Sequence, residues 1–169
     1  MENQEVQKTL ILFKPDTLQR GLVGEIITRF ERVGLKIVAT KMLAPDKEHY
    51  FKHYEEIGKM VTRRGEQTFN STVNMMMEGP VIAMVLEGVE AVALVRKLIG
   101  PTEPKSANPG TIRGDYSHMS FGYADTRNKA VPNLIHASGD IDDAEKEIRH
   151  WFKDEELCSY QVLHEKFTR

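Results

Sequence analysis

The sequence predicts an α+β fold: a four-stranded antiparallel sheet in βαββαβ order, packed with helices and followed by a C-terminal helix. Three observations predict it. Short apolar runs alternate with helical patterns in that order. Glycine and proline punctuate the boundaries, as at Gly34 and Gly100-Pro101. The chain has 169 residues, 40% of them hydrophobic and 28% charged, which suits a single domain with its own core.

Residues 9–13, "TLILF", read as a buried strand that ends at the turn Lys14-Pro15-Asp16. Over residues 21–33, Val23, Ile26, Ile27, Phe30 and Val33 recur at helical spacing, and Gly34 stops the helix. Residues 35–43 alternate apolar and polar, as a strand does. Asp46 is placed to cap a helix carrying His49 and His53. A further helix is expected over residues 66–78, with Met75, Met76 and Met77 filling the core. Residues 81–86 form the third strand. Residues 88–99 form a helix with Ala91, Leu94, Val95 and Leu98 on one face.

Residues 100–132 then run without clear periodicity. Three of the chain's seven prolines fall in the first ten of them, which marks a long functional loop. Residues 134–136 make a short strand. Residues 142–152 make the last strong helix, with Ala144, Ile148, Trp151 and Phe152 turned to the core. Without the middle helices, the order is the split βαβ, or ferredoxin-like, pattern with helices on one face of the sheet. One domain over residues 1–169 is expected, with its core at about 8–160 and the extended loop at 100–132.

The composition excludes several function classes. There are 23 basic and 25 acidic residues, a net charge of -2, so no global basic field points to nucleic acid as the primary partner. Cys158 is the single cysteine, which rules out an intrachain disulfide and a cysteine-built metal site. The first residues lack a signal-peptide apolar stretch, and no apolar run is long enough to cross a membrane. A cytoplasmic protein is expected.

Neither GxxxxGK[ST] nor GxGxxG occurs, so a nucleotide would have to be held by side chains. Lys14 stands where the first strand ends, a natural place to present an ammonium to a phosphate. Arg96 lies near its helix end, where it either snorkels to solvent or reaches into the following loop beside Thr102 and Arg113. Arginine suits the second role, because its planar fork binds phosphate oxygens in pairs.

His136 sits at a strand end, and Glu147 falls on or beside the apolar stripe of the next helix. A carboxylate there is costly unless paired, and a ring nitrogen of His136 is within the reach of that helix. Ser138 either bridges the two or caps the helix. A carboxylate holding one ring nitrogen leaves the other free as a nucleophile. A zinc site is the rival use of histidine here. His49 and His53 are four apart, but no third ligand is evident and HExxH is absent, which favours a solvated helix face.

Several stretches together carry a resemblance: "TLILFKPDTLQRGLVGEIITRFERVGLKIVATKML", "GPVIAMVLEG", "NPGTIRGD", and "NLIHAS" followed by "AEKEI" and "WF". In this order, from about residue 9 to 160, the chain resembles the nucleoside diphosphate kinase family. The resemblance implies a ferredoxin-like αβ sandwich, assembled as a hexamer or tetramer. It implies an enzyme that moves the γ-phosphoryl of ATP or another nucleoside triphosphate to a nucleoside diphosphate. The route is ping-pong through a phosphohistidine, and the result maintains nucleoside triphosphate pools.

Mg²⁺ is implied as cofactor, held mainly by the phosphates rather than by protein side chains. The family's active histidine falls on His136. Its phosphate-contacting residues fall on Lys14, Arg96, Thr102 and Arg113, and its ribose-contacting asparagine on Asn133. Tyr54 matches the tyrosine near the histidine, with Ser138 and Glu147 behind the ring. A non-catalytic interaction module of the same fold is the alternative, and the presence of His136, Lys14 and both arginines speaks against it.

Three departures stand out. Gly139 replaces the family's usual aspartate, leaving Asp140 as the expected helix cap. Residues 116–132 are longer than usual. The phenylalanine that stacks on the base has no clear counterpart, with Phe69, Tyr116, Phe121 and Tyr123 as candidates.

Overall fold

The computed structural model describes residues 6–169. Its core is a four-stranded antiparallel sheet made of β1 (Val6–Phe13), β2 (Lys36–Leu43), β3 (Val81–Val89) and β4 (Ile135–Ala137). The spatial order is β2-β3-β1-β4, with every pairing antiparallel. Along the chain run α1 (Pro15–Gln19), α2 (Val23–Arg32), α3 (Lys47–Phe51), a π-helix (Lys52–Ile57), α4 (Met60–Arg64) and α5 (Glu66–Met76). There follow α6 (Ala91–Ile99), α7 (Ile112–Tyr116), α8 (Phe121–Thr126), α9 (Ile141–Trp151) and α10 (Glu165–Thr168).

The central strand β1 explains the layering. Thr9 to Phe13 are all buried, so both faces of this strand need covering. Ile11 and Phe13 pack against Ile26 and Phe30 of α2 and Val95 and Ile99 of α6. On the opposite face, Leu10 and Leu12 pack with Tyr50, Tyr54, Met76 and Trp151. The bare split βαβ pattern gives helices on one face. Here α3, α5, α9 and the π-helix add a second layer on the other.

Several expected boundaries shift. The helix assigned to 88–99 starts at Ala91, because β3 continues to Val89 to pair with Val6. The helix assigned to 21–33 starts at Val23. Met75 and Met76 are buried as expected, but Met77 is 43% exposed, since α5 ends one residue before it.

The stretch 100–132 also differs from a structureless loop. It holds a 3₁₀ turn at Pro104–Ser106 together with α7 and α8. Thr111 and Ser120 cap α7 and α8 by accepting from the N–H groups of Gly114 and Tyr123. Elements of five or six residues are too short to show a hydrophobic period. Gly114 is needed here, because a Cβ at that position would collide with the carbonyl of Asn108. This close approach seats α7, and Arg113 with it, against the loop.

After α9, the tail folds back over the outer strand. The Cys158 N–H donates to Val38 O at 2.8 Å, and the Tyr160 hydroxyl donates to Ile37 O at 2.6 Å. These contacts occupy part of an otherwise open sheet edge. Among the described residues, no helix is long and apolar enough to cross a membrane.

Candidate active site

A cavity of about 1120 Å³ opens where β1 ends and β4 begins, lined among others by Lys14, Tyr54, Arg96, Thr102, Arg113 and His136. Its framework is the pairing of β4 with β1, in which His136 sits opposite Leu12. Just before β4 the chain makes a γ-turn: the Ile135 N–H donates to Asn133 O at 2.8 Å, and Leu134 between them has φ 72°. This region is unfavourable for leucine and costs about 1–3 kcal/mol.

The turn after β1 holds the strained residue in place. The Lys14 N–H donates to Leu134 O at 2.9 Å, the Thr17 hydroxyl donates to the same oxygen, and the Leu134 N–H donates to Asp16 Oδ2 at 3.0 Å. Lys14 and His136 are thereby fixed relative to each other through backbone. The roles of Asp16 and Thr17 were not legible in the sequence.

His136 is partly buried, and its Nε2 lies 2.9 Å from Glu147 Oε1. Ser138 donates to the other carboxylate oxygen at 2.6 Å, and its own oxygen accepts from the Leu10 N–H at 3.2 Å. Ser138 therefore bridges to Glu147 and does not cap the helix. Asp140 caps α9 by accepting from the Asp143 N–H at 2.8 Å. An ionised Glu147 can only accept, so the ring proton belongs on Nε2 and the lone pair on Nδ1.

The cationic side of the cavity is built differently from a simple phosphate clamp. Lys14 is buried, and its ammonium donates to Asn133 Oδ1 at 2.7 Å. Burial, reinforced by the nearby Arg113, brings its pKa down to about 8. Asn133 in turn donates to Thr102 O at 2.8 Å. Its side chain thus links the lysine to the threonine loop, on top of any contact with a ribose.

Arg113 is also buried, and it donates to Asn133 O at 3.1 Å, Gly100 O at 3.0 Å and Ile135 O at 2.5 Å. Burial, helped by Arg96, lowers its pKa to about 10. Three of its five N–H donors hold backbone, and two remain for a ligand. Arg96 is exposed on α6 and lines the same cavity.

Tyr54 lines the cavity with its ring 6.3 Å from that of His136, and its buried hydroxyl has no partner among the described residues. Desolvation pushes its phenol pKa far upward, so it stays a donor. Of the four aromatic candidates for a base contact, Phe121 alone lines the cavity. Phe69 packs on Phe51 and the core, Tyr116 donates to Glu25, and Tyr123 lies beneath Arg127 and Lys129.

His53 departs from its expected place on a solvated face. It is 1% exposed, with its ring 4.6 Å from that of His136. The π-helix turns it away from His49, which stacks on His150 instead. His53, His136 and Glu147 are close enough together to share a metal ion. However, the Trp151 indole donates to His53 Nδ1 at 3.1 Å and so occupies that lone pair, and the cluster is a hydrogen-bond network. Trp151 was read from the sequence as core volume only. Its N–H, which needs a partner when buried, was the signal for a second role.

Comparison with known proteins gives a consistent result. The family model described as nucleoside diphosphate kinase matches residues 7–157. A nucleoside diphosphate kinase of Borreliella burgdorferi is 49% identical over 156 residues, covering 92% of this chain and 93% of the relative. Another, from Pyrococcus furiosus, is 47% identical over 165 residues, covering 98% and 94%. A solved structure described as a transition state mimic of nucleoside-diphosphate kinase from Borrelia burgdorferi, with bound vanadate and ADP, matches with a TM-score of 0.93. It is 47% identical, and the match covers 96% of each chain.

The Lys14 ammonium gives a pH signature. The unfolded chain binds this proton up to about pH 10.5 and the folded chain only up to about 8, so stability rises with pH between those values. Relative to Lys14→Met, the wild type should gain on the order of 3 kcal/mol over that range. Thermal or denaturant melts of both proteins at pH 7.5 and 10.5 read this directly, and a constant difference would contradict it.

Proposed function

The chain belongs to the nucleoside diphosphate kinase family, and we propose that His136 is the residue through which it passes a γ-phosphoryl group from a nucleoside triphosphate to a nucleoside diphosphate. The observation that carries this is the 2.9 Å contact between Glu147 Oε1 and His136 Nε2, which leaves Nδ1 as the nucleophilic nitrogen beside the cavity. A relative of this chain holds vanadate and ADP together, which supports the same chemistry.

The reaction runs in two matched halves. The Nδ1 lone pair of His136 attacks the γ-phosphorus in line, the P–O bond to the β-phosphate breaks, and the nucleoside diphosphate leaves. The ring now carries positive charge, and its Nε2–H stays hydrogen-bonded to Glu147. A second diphosphate enters and takes the phosphoryl group back through its terminal oxygen. Run among many nucleotides, the exchange maintains nucleoside triphosphate pools.

Lys14, Arg96 and the two remaining N–H donors of Arg113 stabilise negative charge on the transferring oxygens. The Tyr54 hydroxyl donates to a phosphoryl oxygen, and Thr102 contacts the outer phosphates. Asn133 keeps Lys14 and the Thr102 loop in register and meets the ribose. Since one site serves many bases, specificity rests on phosphate and ribose.

Mg²⁺ fits this cavity as a companion of the phosphates. Lys14, Arg96 and Arg113 repel a resident cation, while Asp125, Asp140 and Asp143 line the same cavity and can accept from water on a phosphate-bound ion. When bound, Mg²⁺ neutralises phosphate charge and orients the chain of phosphates. We assign the base platform to Phe121, whose ring lies 5.9 Å from the Arg64 guanidinium carbon. Assembly as a hexamer or tetramer and a cytoplasmic location belong to the same proposal. Met42, 62% exposed on the outer strand β2, is apolar surface of the kind that assembly covers.

Incubation with γ-labelled ATP and Mg²⁺ should label one histidine, acid-labile and base-stable, and any nucleoside diphosphate should discharge it. His136→Ala should take no label; normal labelling of that variant, or none of the wild type, contradicts the proposal. Phe121→Ala should raise KM about tenfold for purine and pyrimidine diphosphates alike, as loss of one stacking contact implies. Steady-state kinetics with several acceptors checks this, and unchanged KM values would remove Phe121 from the site.

A further inference from the structure

Two histidines face one carboxylate oxygen. His136 Nε2 lies 2.9 Å from Glu147 Oε1, and His53 Nδ1 lies 3.9 Å from the same atom. That oxygen has two lone pairs, so a second imidazole donor could share it and divide its charge. What separates them is Trp151, four residues after Glu147 on α9 and likewise buried. Its indole N–H donates to His53 Nδ1 at 3.1 Å. An indole nitrogen is a donor only, so Nδ1 of His53 must be the acceptor and its ring proton must sit on Nε2. A nitrogen that accepts from Trp151 has no proton to offer Glu147.

We infer that Trp151 is a positioning residue: by occupying His53 Nδ1, it keeps Glu147 for His136, the imidazole that carries the phosphoryl group. The inference deepens the phosphotransfer reading and rests on it. Its consequence is largest after transfer, when His136 is positively charged and needs the carboxylate undivided. Without the indole N–H, His53 Nδ1 is free to take a proton and turn to Glu147, drawing it from His136.

The surroundings of His53 set how strongly that proton is resisted. Burial above all, and then His136, His150, His49 and Lys14, oppose a charge on His53 and hold its pKa well below the ordinary histidine value. The Glu147 carboxylate lies 3.9 Å from its Nδ1, and Tyr54, which packs against it, is uncharged. The indole bond removes the site where the proton would go. His53 Nε2 is buried and has no partner among the described residues, so this arrangement is not simply the best-satisfied one for the core.

Trp151→Phe keeps an aromatic ring, removes the N–H and leaves a small void in the core beside it. The rate of phosphoenzyme formation with ATP should then fall off on the acid side at a pH about one unit higher than in the wild type, the scale of one lost hydrogen bond. Trp151→Phe combined with His53→Gln removes the competing imidazole, and the acid limb should return to its wild-type position. A purely structural role for Trp151 lowers stability and leaves the limb where it was, which overturns the inference. A shifted limb that the double variant does not restore overturns it as well.

Should Trp151→Phe fail to fold, the wild type answers by ¹⁵N-histidine NMR. His53 protonated at Nε2 with Nδ1 accepting supports the inference, and the reverse tautomer overturns it. That measurement needs no turnover, so it stands apart from the phosphotransfer reading, whose own failure would appear as a wild type that takes no phosphoryl group.

Discussion

A carboxylate with 3% exposure has to be paired, and the pairing of Glu147 organises the whole site. One of its oxygens takes the Ser138 hydroxyl and the other takes His136 Nε2. Ser138 can do this because β1 runs beside it and the Leu10 N–H fixes its oxygen. Glu147 is presented by α9, which is capped at Asp140 and packed through Ile148 and Trp151 against the sheet. The sheet, the helix and the serine thus converge on the orientation of one imidazole ring. The ring nitrogen this network leaves out is Nδ1, the one proposed to react.

The second constraint is the strained turn at Leu134. A buried leucine at φ 72° persists because Lys14, Asp16 and Thr17 bind its backbone on both sides. Those contacts tie the end of β1 to the start of β4, so the ammonium and the imidazole share one rigid frame. Arg113 extends the frame by binding three carbonyls, one of them from Gly100 at the end of α6. The positive charge of the cavity is in this way held in place by the fold, as electrostatic stabilisation of a transferring phosphoryl group would require. The burial that brings Lys14 to about 8 is the cost of that arrangement.

Much of this was legible in the sequence, for physical reasons. The His136–Glu147 pair was, because a carboxylate beside the apolar stripe of a helix demands a partner and the histidine precedes that helix. The βαββαβ order was, because each strand is a short apolar run bounded by turn residues. Ser138 by itself could bridge or cap, but the resemblance set it behind the ring and left Asp140 as the cap, and the geometry agrees with both. His53 was misplaced because i, i+4 spacing puts it beside His49 on an α-helix, whereas the chain is π-helical from Lys52 to Ile57. The short helices α7 and α8 were invisible to periodicity. So was the choice of Phe121, which depends on how the extended segment folds over the cavity.

The central claim is that the ring nitrogen opposite Glu147 is the phosphoryl carrier. The most direct measurement is ³¹P–¹⁵N NMR of the ¹⁵N-histidine-labelled enzyme after phosphorylation by ATP. The account predicts phosphorus coupled to Nδ1 of His136, with Nε2 still bearing its proton. Phosphorus on Nε2, or on any other histidine, would contradict it.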